Sequence, residues 1–251
     1  MIQISNFAAY RKHLKMSYPI KLLLIFVFSV SLFILDYKEA QAQGTIYSVK
    51  TGLTAGTQRW NNYNRRPLMK YHIAGAIETH SPDNLSSLFV QVGYHLKGSA
   101  LRRSSFASPI TGNIIPGGTD EFRFHNLSLV LGGKQKLEVF TESRLYYLVG
   151  VRGDFNIKAE FDRGIYENFS DHINKFTFGI TVGGGLEVPL SSHTGIFFEL
   201  SVSPDFSNQI YVPPHRSFWD PNRMNPEQKV INIAVELSVG MRFLHEVIYV
   251  Q

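Results

Sequence analysis

From Gly44 onward the chain alternates with period two. In the closing stretch, INIAVELSVGMRF (231–243), Ile231, Ile233, Val235, Leu237, Val239, Met241 and Phe243 take the odd positions. Asn232, Ala234, Glu236, Ser238, Gly240 and Arg242 take the even ones. Successive side chains of a strand point to opposite faces, so the stretch reads as a strand with one apolar and one polar side. Eight segments carry this pattern, approximately Tyr47–Thr57, Lys70–His80, Leu88–Gly98, Glu121–Gly132, Arg144–Phe155, Lys175–Val188, Gly195–Ser203 and Ile231–Phe243. No helical period competes with it.

The links between segments narrow the topology. Gln58–Met69 is long, SPDNLSS short, Ser99–Asp120 long, Gly133–Ser143 intermediate, Asn156–Asn174 long, PLSSHT short and Pro204–Val230 long. Long and shorter links alternate, as they do when antiparallel neighbours run up and down with the long loops at one end. Most segments span 9 to 14 residues. A tilted strand needs about 9 to 11 to cross a bilayer, whereas globular strands average about 5 to 6. The pattern predicts an all-β fold: an eight-stranded antiparallel up-and-down transmembrane β-barrel, with both termini at the short-turn end. Strands can cross lipid only as a closed barrel, because every backbone polar group must be paired internally. Aromatics at segment ends (Tyr146, Tyr147, Phe155, Phe176, Phe178, Phe197, Phe198 and Phe243) fit interfacial girdles.

The N-terminus agrees with an exported protein. A basic stretch, YRKHLK, precedes 14 uncharged residues (Leu22 to Leu35), then DYKEAQAQ with an Ala40-Gln41-Ala42 small-x-small site. That apolar run is short of the roughly 20 residues a spanning helix needs, and the order is that of a secretory signal peptide. Residues 1–42 are therefore expected to be a signal peptide cleaved near Ala42, translated from Met1 or Met16, with 44–251 as the barrel domain; the alternative is an uncleaved anchor helix. The pI of 9.3 reflects this segment. Removing its five Lys/Arg and two acids from totals of 25 and 20 leaves 20 basic and 18 acidic residues, so no nucleic-acid partner is expected. There is no cysteine, which excludes disulfides, thiolate chemistry and a lipidated Cys.

YSVKTGLTAG, FVQVGYHLKGSA (89–100), LYYLVGVRGDF (145–155), FTFGITVGGGLEV (176–188) and the closing VELSVGMRF together resemble the PorT-like outer-membrane β-barrel proteins. The resemblance implies an eight-stranded integral barrel of the outer membrane of Gram-negative bacteria. It also implies insertion by the barrel-assembly machinery and, for one member, a link to type IX protein secretion. Gly240-x-x-Phe243 fits part of a terminal insertion signal, but Leu244–Gln251 follow it.

The polar face carries Lys50, Glu78, Lys97, Arg144, Arg152, Glu187, Glu199, Glu236 and Arg242. Eight strands enclose room for little but side chains, and buried charges must pair. The expected lumen network is Lys50, Glu78, Arg144, Glu199, Glu236 and Arg242, with Glu199 and Glu236 sharing Lys50 and Arg144. Such a network is either a salt-bridged plug or the wall of a gated water path; a paired-carboxylate active site lacks a sugar-sized cleft. His125 and Ser128 point to opposite faces, and His72 and His95 are expected to have no Ser nearby, so no catalytic residue is expected. The nine His show no HxH or HExxH spacing, and neither a metal nor a cofactor is expected. GGG (183–185) is read as a bend or a space for bulky lumen neighbours. Arg216, Phe218 and Trp219 in the last long loop form either a recognition surface for a protein partner or a stiff cap over the barrel mouth. The expected role is non-enzymatic, structural or interactive, and accessory to protein secretion. A small pore, a lipid-modifying enzyme and a soluble barrel of the lipocalin sort are the alternatives.

Overall fold

A computed structural model describes residues 44–60, 65–81, 84–107, 112–138, 143–162, 170–216, 222 and 224–246. The expected signal peptide, with Met1 and Met16, lies outside them, as do Phe218 and Trp219. None of the described residues forms a helix long and apolar enough to cross a membrane.

Eight long strands form the wall: β1 (Gly44–Arg59), β2 (Arg66–His80), β3 (Ser86–Arg103), β4 (Gly118–Leu137), β5 (Arg144–Phe161), β6 (Phe176–Pro189), β7 (Thr194–Pro204) and β8 (Gln228–Glu246). Each pairs antiparallel with the next, and β8 pairs back onto β1, so the sheet is a closed ring. Closure runs from Gly44↔Glu246 through Leu53↔Leu237 to Arg59↔Ile231. β8 therefore continues past Phe243 to Glu246. A closed ring has no edge strand, so its ladder leaves no row of unpaired backbone groups facing outward.

The alternation places side chains as expected. On β8, Val235, Leu237 and Val239 are exposed, while Asn232, Ala234, Glu236 and Ser238 are 1 to 3% exposed. Val49, Leu53, Ile73, Ile77, Val90, Val92, Leu129, Leu131, Val149, Val151 and Leu200 join them in an outward apolar belt, each 40 to 55% exposed. A soluble protein does not present so continuous an apolar surface to water, whereas a bilayer requires it. The lipocalin alternative, with its apolar face inward, is inverted relative to this wall. Tyr47, Tyr147, Phe198 and Phe243 flank the belt at the end carrying the termini; Tyr71, Phe155, Phe176 and Phe178 flank it at the loop end. Tyr146 and Phe197 do not belong to these girdles, because their positions in the alternation turn them into the lumen, where they are 2% and 6% exposed.

Several links are shorter than expected because the strands run further, and the first leaves the long class altogether. Gly56↔Leu68 extends the β1–β2 ladder, so the first loop shrinks from Gln58–Met69 to residues 60–65. It is then no longer than the turn at 138–143 at the opposite end. The polar flanks Lys70 and Gln58 hid strand that runs beyond the apolar belt. Two other loops at that end hold short ribbons, Phe106–Ala107 with Ile114–Ile115 and His215–Arg216 with Met224–Asn225.

Candidate functional site

The inward residues form layers along the lumen. At the terminal end a polar cup of about 990 Å³ is lined by Lys136, Arg144, Glu187, Arg242 and neighbouring turn residues. Ser87 Oγ donates to Glu78 Oε1 at 2.7 Å, Lys134 Nζ donates to Glu78 Oε2 at 2.9 Å, and Lys136 Nζ is 3.2 Å from Glu78 Oε1. Arg242 meets Glu187 at 2.6 Å. Above the cup, Phe89, Val130, Tyr146, Leu148 and Phe197 pack into a buried apolar layer. Glycines make room for it. A Cβ on Gly185 would lie 2.6 Å from the Tyr146 hydroxyl oxygen, and one on Gly240 would collide with the Phe197 ring. The GGG stretch thus admits bulky lumen neighbours, one of the two readings its sequence offered.

The middle layer holds the charges. Lys50 pairs with Glu199, whose other oxygen accepts from the Tyr146 hydroxyl at 2.9 Å. Lys97 donates to Asp154 Oδ2 at 2.7 Å, and Arg152 bridges the same oxygen at 3.0 Å to Asp205. Glu236 accepts from His95 Nδ1 at 2.7 Å. The His95 ring stacks on His72, centroids 5.4 Å apart and planes 10° apart. His72 in turn is held at Nδ1 by Thr54 Oγ1 (2.9 Å) and at Nε2 by Ser238 Oγ (2.8 Å). Toward the loops, Gln58, Asn232 and Gln209 continue the polar chain, with Gln58 Nε2 donating to Asn232 Oδ1 at 2.8 Å and Asn232 Nδ2 to Gln209 Oε1 at 3.0 Å. Trp60, Phe122, Phe124, Ile210, Val212 and Val230 close the loop end as an apolar cap.

The Lys50–Glu199 pair is as the sequence led one to expect. Two other expected partners are corrected. Glu236 is held by His95 and not by Lys50 or Arg144. Arg144 is the first residue of β5 and lines the cup, while Tyr146, two residues further in, takes the place beside Glu199. Glu78 and Arg242 belong to the cup. His72 does have a serine against it, Ser238. Arg216 is exposed on its ribbon and contributes nothing to the lumen.

Reading the sequence missed Lys134, Lys136, Asp154 and Asp205. Lys134 and Lys136 fall in the link Gly133–Ser143 that the alternation predicts, although they keep the inward phase of Asn126 and Ser128. Asp154 likewise follows Arg152 in phase. Asp205 stood in a loop and gave no periodic signal. The stacked histidines were legible from hairpin symmetry, since His72 lies nine residues before Ser81 and His95 eight after Ser87, on either side of the SPDNLSS turn.

No curated protein matches the chain. Among solved structures it is similar to the Neisserial surface protein A (TM-score 0.45, 8% identity, 79% of this chain and 96% of that one). It is also similar to OprG from Pseudomonas aeruginosa (TM-score 0.45, 7% identity, 80% and 97%) and to outer membrane protein W of E. coli (TM-score 0.37, 11% identity, 81% and 100%). The family model described as "Outer membrane protein beta-barrel domain" matches residues 40–211. With its ring closed and its apolar belt outward, this chain belongs to the outer membrane protein beta-barrel domain family and is an integral protein of the outer membrane.

Proposed function

We propose that the barrel is a sealed, non-enzymatic outer-membrane protein that acts through its loop-end surface on a protein partner. In this reading it is PorT-like and accessory to protein secretion. The observation that supports it is the filling of the lumen. The ion-paired middle layer is closed on one side by Phe89, Tyr146, Leu148 and Phe197 and on the other by Trp60, Phe122, Phe124 and Val230. A pore needs a continuous water column, and these two apolar layers interrupt one. A hydrolase needs its nucleophile and base exposed to substrate, yet Ser238 and His72 are buried inside the wall. What the barrel presents to the outside is its loops.

Planar-bilayer recording tests the sealed lumen: the purified full chain should give no stable conductance steps, and reproducible unitary channels would sink this reading. Cross-linked pull-down from outer membranes, with residues 213–227 intact or replaced by a short Gly/Ser linker between Val212 and Gln228, tests the partner. The linker variant should insert normally and lose the captured protein.

A further inference from the structure

We propose that His72, His95 and Glu236 form a binding site for one divalent transition-metal ion of the zinc class, held inside the barrel. The three residues come from β2, β3 and β8, and their donor atoms all lie within 4.8 Å of one another. All three are buried, at 0%, 3% and 3% exposure. Two imidazoles and a carboxylate are a donor set that zinc and its neighbours favour.

Two further observations single this cluster out. First, the Lys and Arg side chains of the middle layer leave one carboxylate without a fixed cation beside it. Lys50, Lys97 and Arg152 face Glu199, Asp154, Asp205 and Glu236, three cations against four carboxylates. Glu236 is the acid whose partner is an imidazole instead of a Lys or Arg. A bound cation at Glu236 gives that carboxylate a fixed positive partner in a region where uncompensated charge is costly. Second, His95 Nε2 is buried and has no hydrogen-bond partner among the described residues. Hydrogen bonding alone therefore does not account for the ring's placement.

The surroundings are those of a held ligand set. Coordination through His95 Nδ1 moves the proton now shared with Glu236 onto Nε2, the ring nitrogen that has no hydrogen-bond partner among the described residues. His72 gives one nitrogen to the metal, and its other nitrogen keeps Thr54 or Ser238, which fixes ring orientation as outer partners of metal-bound histidines do. Tetrahedral zinc holds its donors about 3.4 Å apart, so side-chain rotations of about 1 to 1.5 Å close the set. Because the apolar layers seal the lumen, the ion enters as the barrel closes.

The test is loading during folding. The full chain is refolded from urea into detergent micelles with Co²⁺ or Zn²⁺ present, desalted, and assayed for bound metal and for the visible absorption of four-coordinate cobalt. One equivalent should be retained. His72→Gln, His95→Gln and Glu236→Gln should each weaken retention about 100-fold or more, while His125→Gln, on the outer wall, should leave it unchanged. Gel mobility of unheated samples reports folding for every variant. Zinc-edge absorption of the loaded wild type, which needs no variant, should show two imidazoles. No retained metal, fewer than two imidazoles, or binding that survives the His72→Gln/His95→Gln double variant would each overturn the proposal. Conductance is read separately, so failure here leaves the sealed-lumen reading standing.

Discussion

Removing Lys50 should cost more than removing both Lys50 and Glu199. The pair is buried, with side chains 8% and 5% exposed, and joins β1 to β7 across the intervening β8. Lys50→Met leaves the Glu199 carboxylate, among the described residues, with the Tyr146 hydroxyl as its remaining hydrogen-bonding partner. Breaking one half of a buried ion pair typically costs about 3 to 5 kcal/mol, since the remaining charge stays desolvated. Glu199→Met should cost a similar amount by stranding the ammonium. In the Lys50→Met/Glu199→Met double variant no charge is stranded, and the loss reduces to the unpaired Tyr146 hydroxyl, about 1 to 3 kcal/mol. The singles should therefore be strongly non-additive, with a coupling of at least about 3 kcal/mol. Equilibrium urea unfolding in lipid vesicles, followed by tryptophan fluorescence and by gel mobility of unheated samples, measures it. Singles costing under about 1 kcal/mol, the behaviour of a solvated surface pair, would refute the dry-lumen reasoning. So would simple additivity.

Other outcomes follow from the same wall. Val235→Arg, outward in the apolar belt, should destabilise the inserted barrel by about 2 to 4 kcal/mol in vesicle unfolding, while Glu236→Gln should leave membrane insertion intact. Gly185→Val drives a side chain into the Tyr146 ring and the Phe198 carbonyl, and should cost about 3 kcal/mol, the upper end of overpacking, read as a lowered urea midpoint. Arg152→Met strands Asp205 and weakens the hold on Asp154. It should cost about 3 to 5 kcal/mol, and a variant as stable as wild type would show that water reaches that carboxylate.

Strand number, order and facing were legible because lipid imposes a strict alternation, and one phase error would have put Glu236 or Arg152 into hydrocarbon. Strand ends were less so. Beyond the bilayer the outward residues need not be apolar, so Lys134 to Leu137 and Arg66 to Met69 look like turn while pairing as strand. Partners inside the lumen were legible only where the ring made them near neighbours. Lys50 and Glu199 flank β8 and could be matched from strand order. His95 reaches Glu236 from β3 to β8 across two intervening strands, and that depends on how far each side chain projects across the lumen, which no periodicity encodes. Asp205 is a further case: the chain leaves β7 at Pro204 and turns inward, so a loop residue becomes a lumen carboxylate.

That inward turn gives the last strand more than its share of contacts. β8 pairs with β1 and β7 along most of its length, and near its start Ile210–Val212 replaces β7 as its neighbour. The same strand carries Val230 of the cap, Asn232 of the amide chain, Glu236 of the histidine cluster and Arg242 of the cup. A chain with seven strands in place has an open wall and an incomplete lid. Its lumen charges stay hydrated and its cap residues stay wet. Drying of the interior is thus a checkpoint tied to arrival of the C-terminal strand, so that an incomplete barrel is marked by the water it still holds.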